Sequence, residues 1–151
     1  MRRTIRAGLL LLPLLLPVAC ASAPRAARYS PESFRGTWSG PAFAVNSIGD
    51  GEVIQTLKIT VDADGVVRGT MGWTAAVDLK GHEADGDVTS SHEESVLGLA
   101  SFTQGSLALV ETEENGTLLA RLLPDGTLEV LRTQPGTKPV VSFALLSRAS
   151  K

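Results

Sequence analysis

Val53-Ile54-Gln55-Thr56-Leu57-Lys58-Ile59-Thr60-Val61 runs into Asp62-Ala63-Asp64-Gly65 and then into Val66-Val67-Arg68-Gly69-Thr70-Met71-Gly72-Trp73-Thr74. In the first run Val53, Leu57, Ile59 and Val61 share one parity, and Thr56, Lys58 and Thr60 take the other. Alternation at period two marks a strand with one face in a core. The Asp and Gly residues between the runs close tight turns. In the second run Val67, Gly69, Met71 and Trp73 alternate with Arg68, Thr70 and Thr74. Ala75, Val77 and Leu79 continue that parity against Asp78 and Lys80. This is a β-hairpin, and the rest of the chain repeats its grammar.

A first strand is expected over Phe34–Asn46, with a change of parity at Gly40-Pro41 that suits a bulge or bend. Val96–Phe102 and Ser106–Thr112 flank Thr103-Gln104-Gly105. Thr117–Leu123 and Thr127–Thr133 flank Pro124-Asp125-Gly126, and Val140–Ser147 forms the last strand. Asn115-Gly116 is the strongest turn signal, because a type I′ turn needs positive φ at both central residues. Strands this short and evenly spaced predict an all-β domain, a barrel or a β-sandwich. Hairpin-length links make sequence neighbours sheet neighbours. The expected fold is therefore a single antiparallel up-and-down β-barrel of 8–9 strands, which removes exposed edges, with a β-sandwich as the alternative. No helix is expected in the domain.

The N-terminus has a different character. Arg2, Arg3 and Arg6 precede thirteen uncharged residues, Ala7 to Ala19, and then the chain's single cysteine, Cys20. The run is too short to span a bilayer, which takes about 20 apolar residues. A positive start, a short apolar core and small residues at its end describe an export signal. Leu16-Pro17-Val18-Ala19-Cys20 resembles the lipobox of bacterial lipoproteins, with Pro17 where that family usually has Leu. The resemblance implies a lipid on Cys20 and cleavage before it. Ordinary cleavage after Ala21 or Ala23 is the alternative, and the product would then be soluble in the periplasm or secreted. The expected organisation is a signal peptide at 1–19, a lipid-anchored tether at 20–33 and a barrel domain at 34–151. The location implied is the cell envelope, with the anchor in the outer membrane.

Removal of Arg2, Arg3 and Arg6 leaves 11 basic against 16 acidic side chains, a net charge of −5. No stretch clusters Lys or Arg, which excludes the phosphate neutralisation that nucleic-acid binding rests on.

Gly36-Thr37-Trp38 opens the first strand. A Gly-x-Trp in this place resembles the lipocalin and avidin-like barrels. The resemblance implies a Trp packed across one end of the barrel and a Gly that allows close approach. Trp38, Met71 and Trp73 are the expected inward side chains, lining a pocket or filling a core. A small apolar molecule is one expected partner and another envelope protein is the other.

The two histidines fall in an acidic stretch, His82-Glu83-Ala84-Asp85-Gly86-Asp87 and His92-Glu93-Glu94. Imidazoles and carboxylates are metal donors. His82, Asp85, Asp87 and His92 are therefore the candidates for a metal-dependent enzyme, although their spacing fits no standard ligand frame and a solvated loop is the simpler expectation. Glu111, Glu113 and Glu114 flank a hairpin tip and are read as solvated turn residues. There is no Gly-x-Ser-x-Gly elbow and no phosphate loop. The expected protein is non-enzymatic, without a cofactor: an exported binding or interaction module. An envelope protease inhibitor, acting through the segment around Tyr29–Glu32, is the alternative drawn from similar small tethered barrels.

Overall fold

The structure is a computed structural model that describes residues 27–75, 90–137 and 139–149. Cys20, His82, Asp85 and Asp87 lie outside the described residues, as does the whole of the expected signal segment. A one-turn helix, α1 (Pro31–Phe34), leads into eight strands. These are β1 (Gly36–Asn46), β2 (Asp50–Val61), β3 (Val66–Ala75), β4 (Ser90–Ser101), β5 (Ser106–Glu111), β6 (Thr117–Leu122), β7 (Leu128–Gln134) and β8 (Val140–Arg148). Each strand pairs antiparallel with the next, and β8 returns to β1, so the sheet is a closed up-and-down barrel. The sandwich alternative is excluded by the β1–β8 ladder, which runs Phe43 against Phe143 and Val45 against Val141.

The predicted parity holds on β2 and β3 as far as Trp73, with Val77 and Leu79 outside the described residues. On β1 the expected change of parity at Gly40-Pro41 is absent: the register against β2 runs one to one from Gly36 to Val45, Trp38 and Ala42 are buried on one face, and Phe43 and Val45 stay outward with Pro41. Leu57, Ile59 and Val61 of β2, Val67 and Met71 of β3, and Leu107 and Leu109 of β5 all point inward and are buried. Leu118, Leu128, Val130 and Leu146 complete the interior from the remaining strands. Such a barrel is narrow enough for side chains to fill it.

Three further expectations need correction. The helix α1 was not expected. Its single turn is set locally, by Pro31 at the first position, which needs no N–H there, and by Ser33 Oγ accepting from Ser30 N at 3.1 Å. The strand that was expected from Phe34 therefore begins at Gly36. Second, β4 starts at Ser90, six residues before the expected Val96, because Glu93, Glu94 and Ser95 take strand positions opposite Gly72, Met71 and Thr70. Third, the β5–β6 hairpin is present but not as a type I′ turn. Among the described residues every one with positive φ is a glycine, and Gly116 is not one of them. Gly116 has another use: a Cβ there would overlap the carboxylate of Glu111.

One end of the barrel is closed. Tyr29, Phe34 and Phe102 stack in tilted contacts, with ring centroids 6.1 and 6.4 Å apart. The backbone N–H groups of Arg28 and Tyr29 both donate to Phe102 O, so the chain lies against the barrel from residue 28. Trp38 is 1% exposed and its indole N–H donates to Phe34 O at 2.7 Å. The Arg148 guanidinium sits 4.4 Å from the Trp38 ring centroid, a cation–π contact. The same guanidinium donates to Ser33 O at 2.8 Å and to Arg35 O. Gly36 has φ +130°, and a Cβ there would press on Arg148. The packing of a Trp across one end, implied by Gly36-Thr37-Trp38, is what the fold contains.

Candidate functional site

The opposite end, where β3, β5 and β7 finish and β4, β6 and β8 begin, is polar inside. Gln55 stands in step with Leu57, Glu94 with Val96, Glu111 with Leu109, Arg132 with Val130, and Ser142 with Ala144. Each takes the inward parity and is 5% exposed or less. A sheet position cannot choose its face independently of its neighbours, so these side chains enter the barrel because the apolar residues beside them do.

Arg132 holds the group together. Its Nε donates to Glu111 Oε1, and its Nη2 donates to Glu111 Oε2 at 3.1 Å, a bidentate pair. Nη2 also reaches Gln134 Oε1 at 2.6 Å and Glu94 Oε1 at 3.5 Å. Carboxylate oxygens of Glu94, Glu111 and the exposed Glu114 lie within 4.8 Å of one another. Two buried carboxylates thus share one guanidinium, with a third, exposed carboxylate beside them. Burial and the Glu111 charge push the Glu94 pKa up, against the opposing pull of Arg132. The balance favours the protonated form of Glu94 more than for an ordinary glutamate.

Trp73 and His92 sit side by side on the inward faces of β3 and β4, cross-strand partners with ring centroids 6.2 Å apart. His92 Nε2 is 3.9 Å from Glu94 Oε1. Glu94 is diagonal to Trp73 in the β3–β4 register. Among the described residues, three buried polar atoms have no hydrogen-bond partner: Glu94 Oε2, Gln55 Nε2 and His92 Nε2. All three belong to this end of the barrel. Burying such an atom unpaired costs about 1–3 kcal/mol, so a polar group that pairs with these atoms binds favourably at this end.

No family model matches the chain, and no curated protein matches it. Among solved structures it is similar to the S-type phycobiliprotein lyase of Guillardia theta, at 11% identity and a TM-score of 0.45 over 83% of this chain and 96% of that one.

The expected site residues divide clearly. Trp38 and Met71 are core, each 1% exposed or less. Trp73 is partly buried and belongs to the polar end. His92 is on a strand, not in the acidic loop expected for it, because β4 extends back to Ser90. Glu111 is not a solvated turn residue; it is 5% exposed and paired with Arg132. Glu94, Glu111, Arg132 and Gln55 were missed as a site. The signal that finds them is parity, since each falls on the apolar side of an otherwise clean alternation.

The pH response of Glu94 follows from its raised pKa. Between the unfolded value of 4.5 and the higher folded one, the native state holds a proton that the unfolded chain has lost. Its contribution to stability is full below the unfolded value and falls as pH rises through the folded one. Glu94→Gln removes that dependence. Urea midpoints compared at about pH 5 and about pH 8 should show the variant gaining on the wild type as pH rises. A gap that stays constant would mean Glu94 keeps its ordinary pKa.

Proposed function

We propose that the protein is a binding module whose barrel takes the cationic group of a small organic molecule at its polar end. The supporting observation is the unpartnered Oε2 of Glu94, in a buried group where two carboxylates share one guanidinium and the exposed Glu114 carboxylate lies close by. A protonated amine entering there supplies both the missing charge and the missing donor. Trp73, diagonal to Glu94, offers a ring face to the same cation, a contact worth about 0.5–2 kcal/mol. Gln55 Nε2 is free to donate to an oxygen of the ligand. Arg132 already occupies both oxygens of Glu111, and its positive charge opposes a divalent metal more than a singly charged amine. The apolar part of the barrel is filled by its own side chains, which favours a ligand seated at the mouth over one that fills the interior.

The address is part of the same proposal. Residues 1–20 support export and a lipid on Cys20, with a short tether to a barrel that works at the cell envelope. The role is carriage or sensing of the ligand, without catalysis.

Native mass spectrometry of the protein from its own host tests both parts. The expected species begins at Cys20 and carries acyl chains. With n-butylammonium, ethanolammonium and spermidine added in turn, at least one adduct should form that Glu94→Gln loses. A mature chain without acyl mass removes the anchor. No amine adduct, or adducts indifferent to Glu94→Gln, removes the cation site, and a Zn²⁺ adduct in their place would assign the carboxylates to a metal.

A further inference from the structure

Charge is spread unevenly along the barrel axis. At the polar end, where β1 gives way to β2, β3 to β4, β5 to β6 and β7 to β8, stand Asp50, Glu52, Glu93, Glu94, Glu111, Glu113 and Glu114, with Arg132 as their single basic partner among the described residues. With His92 neutral, that half carries a net charge of −6. The closed half sets Arg28, Arg35, Lys58, Arg68, Arg121 and Arg148 against Glu32, Asp62, Asp64, Asp125 and Glu129, a net charge of +1. The closed half also pairs its acids: Arg35 lies 2.6 Å from Glu32, and Arg121 lies 2.9 Å from Glu129. At the polar end Asp50, Glu52, Glu93, Glu113 and Glu114 are exposed, and none forms an ion pair among the described residues.

Exposed acids by themselves merely hold water. Here they surround two buried atoms without partners, the acceptor Glu94 Oε2 and the donor Gln55 Nε2, each on a side chain only 2% exposed. From Glu94 the acids continue outward. A carboxylate oxygen of the exposed Glu114 lies within 4.8 Å of those of Glu94 and Glu111. Glu113 precedes Glu114 at the tip of the β5–β6 hairpin, and Glu93 adjoins Glu94 on the outer side of β4. Val53 and Trp73, both partly buried against the core, give the same mouth an apolar wall.

Building on the amine site proposed above, we propose that its ligand is a polycation, a linear polyamine with two or more ammonium groups. One ammonium meets Glu94 Oε2 inside the mouth. The methylenes that follow run past Trp73 and Val53, and the remaining ammonium groups lie among the rim carboxylates of Glu93, Glu113 and Glu114. A polyamine is built in this order, charge, short apolar spacer, charge. An amine with a long hydrocarbon tail would instead lay that tail among exposed carboxylates, and an anionic ligand would be repelled by them. A cleft ringed by one sign of charge concentrates counter-ions and raises their rate of capture by about ten- to a thousandfold. The nearly neutral closed half does not compete for them.

Isothermal titration calorimetry with n-butylammonium, putrescine and spermidine, which carry one, two and three ammonium groups, tests the ligand class. At low salt the affinity should rise at least about tenfold from n-butylammonium to spermidine, and the gain should shrink at about 0.3 M NaCl, where charges are screened over a shorter distance. Glu52→Gln, Glu93→Gln and Glu113→Gln combined, all at exposed positions, should remove most of that gain, and Glu94→Gln should weaken every one of the three amines. Equal affinities for the three would overturn the polycation and leave the single-cation site standing. No binding by any of them would remove the site, and the polycation with it. Spermidine binding indifferent to Glu94→Gln, or to the triple variant, would also overturn the proposal, since the charge would then be met by a diffuse acidic surface or by other groups.

Discussion

Replacing Arg132 by methionine is expected to destabilise the barrel by about 3–5 kcal/mol, because removal of one member of a buried ion pair strands the charge of the other. Here two charges are stranded. Glu111 loses both of its guanidinium hydrogen bonds, and Glu94 loses its only counter-charge, while each is 5% exposed or less. The loss should be greater at about pH 8 than at about pH 5, since protonation of Glu94, whose pKa is already raised by burial, offers a partial escape that mild acid favours. A companion variant separates charge from packing. Glu111→Gln combined with Arg132→Met removes the stranded charge at that pair, so it should be substantially more stable than Arg132→Met alone, as apolar or neutral replacements of whole buried pairs are often close to neutral. Urea unfolding followed by far-UV circular dichroism gives both midpoints. A loss below about 1 kcal/mol would be the behaviour of a solvent-exposed pair and would contradict the burial described above.

Trp38→Ala should be the second large loss, again about 3–5 kcal/mol, for a different reason. The indole is almost wholly buried under the closed end, within the core cluster. Its removal also unseats two partners: Phe34 O loses a 2.7 Å hydrogen bond, and Arg148 loses the ring it lies on. Trp38→Phe keeps most of the volume and the ring face but not the N–H. It should cost about 1–2 kcal/mol, the range of one buried hydrogen bond and a modest change of shape. Comparable losses for Ala and Phe would mean that the hydrogen bond, and not the plugging volume, holds this end.

Much of the fold was legible because a barrel is built from the one pattern that sequence displays most openly. The alternation of Leu57, Ile59 and Val61, the turns at Asp62–Gly65 and Pro124–Gly126, and the hairpin-length links are local facts, and closure follows from them once no edge is left for cover. Asp62 illustrates how local: its Oδ1 accepts from the N–H groups of Asp64 and Val66 and closes its turn without outside help. The helix α1 escaped because one turn is too short to show a period of 3.6. Gly116 was read for its backbone freedom, whereas its reason lies five residues back, in the bulk of the Glu111 carboxylate.

The polar end was harder for a physical reason. Glu94, Glu111 and Arg132 come from β4, β5 and β7, and their pairing exists only after closure. Each alone looks like a charged residue that belongs in water. Parity placed each of them inside all the same, and a charge on the inward parity of a clean alternation is the feature that should have outweighed the expectation of exposure. Trp38 went the other way: its local motif was distinctive enough to reveal its place before any partner was known.

Arg148 gives the closed end a temporal meaning. It lies near the end of the chain, yet it binds carbonyl groups of Ser33 and Arg35 and covers Trp38, and the strand that carries it completes the ring by pairing with β1. A chain emerging from its N-terminus can form hairpins as it appears, but it cannot shut the cylinder or seat the plug until the last strand is available. Closure of the ring thus waits for β8, through a ladder that spans about a hundred residues and the slow search that such distant partners entail. A fragment cut short within β8 would keep an open seam along β1 with its apolar interior uncovered, which makes it recognisable as incomplete to any system that surveys exposed strands.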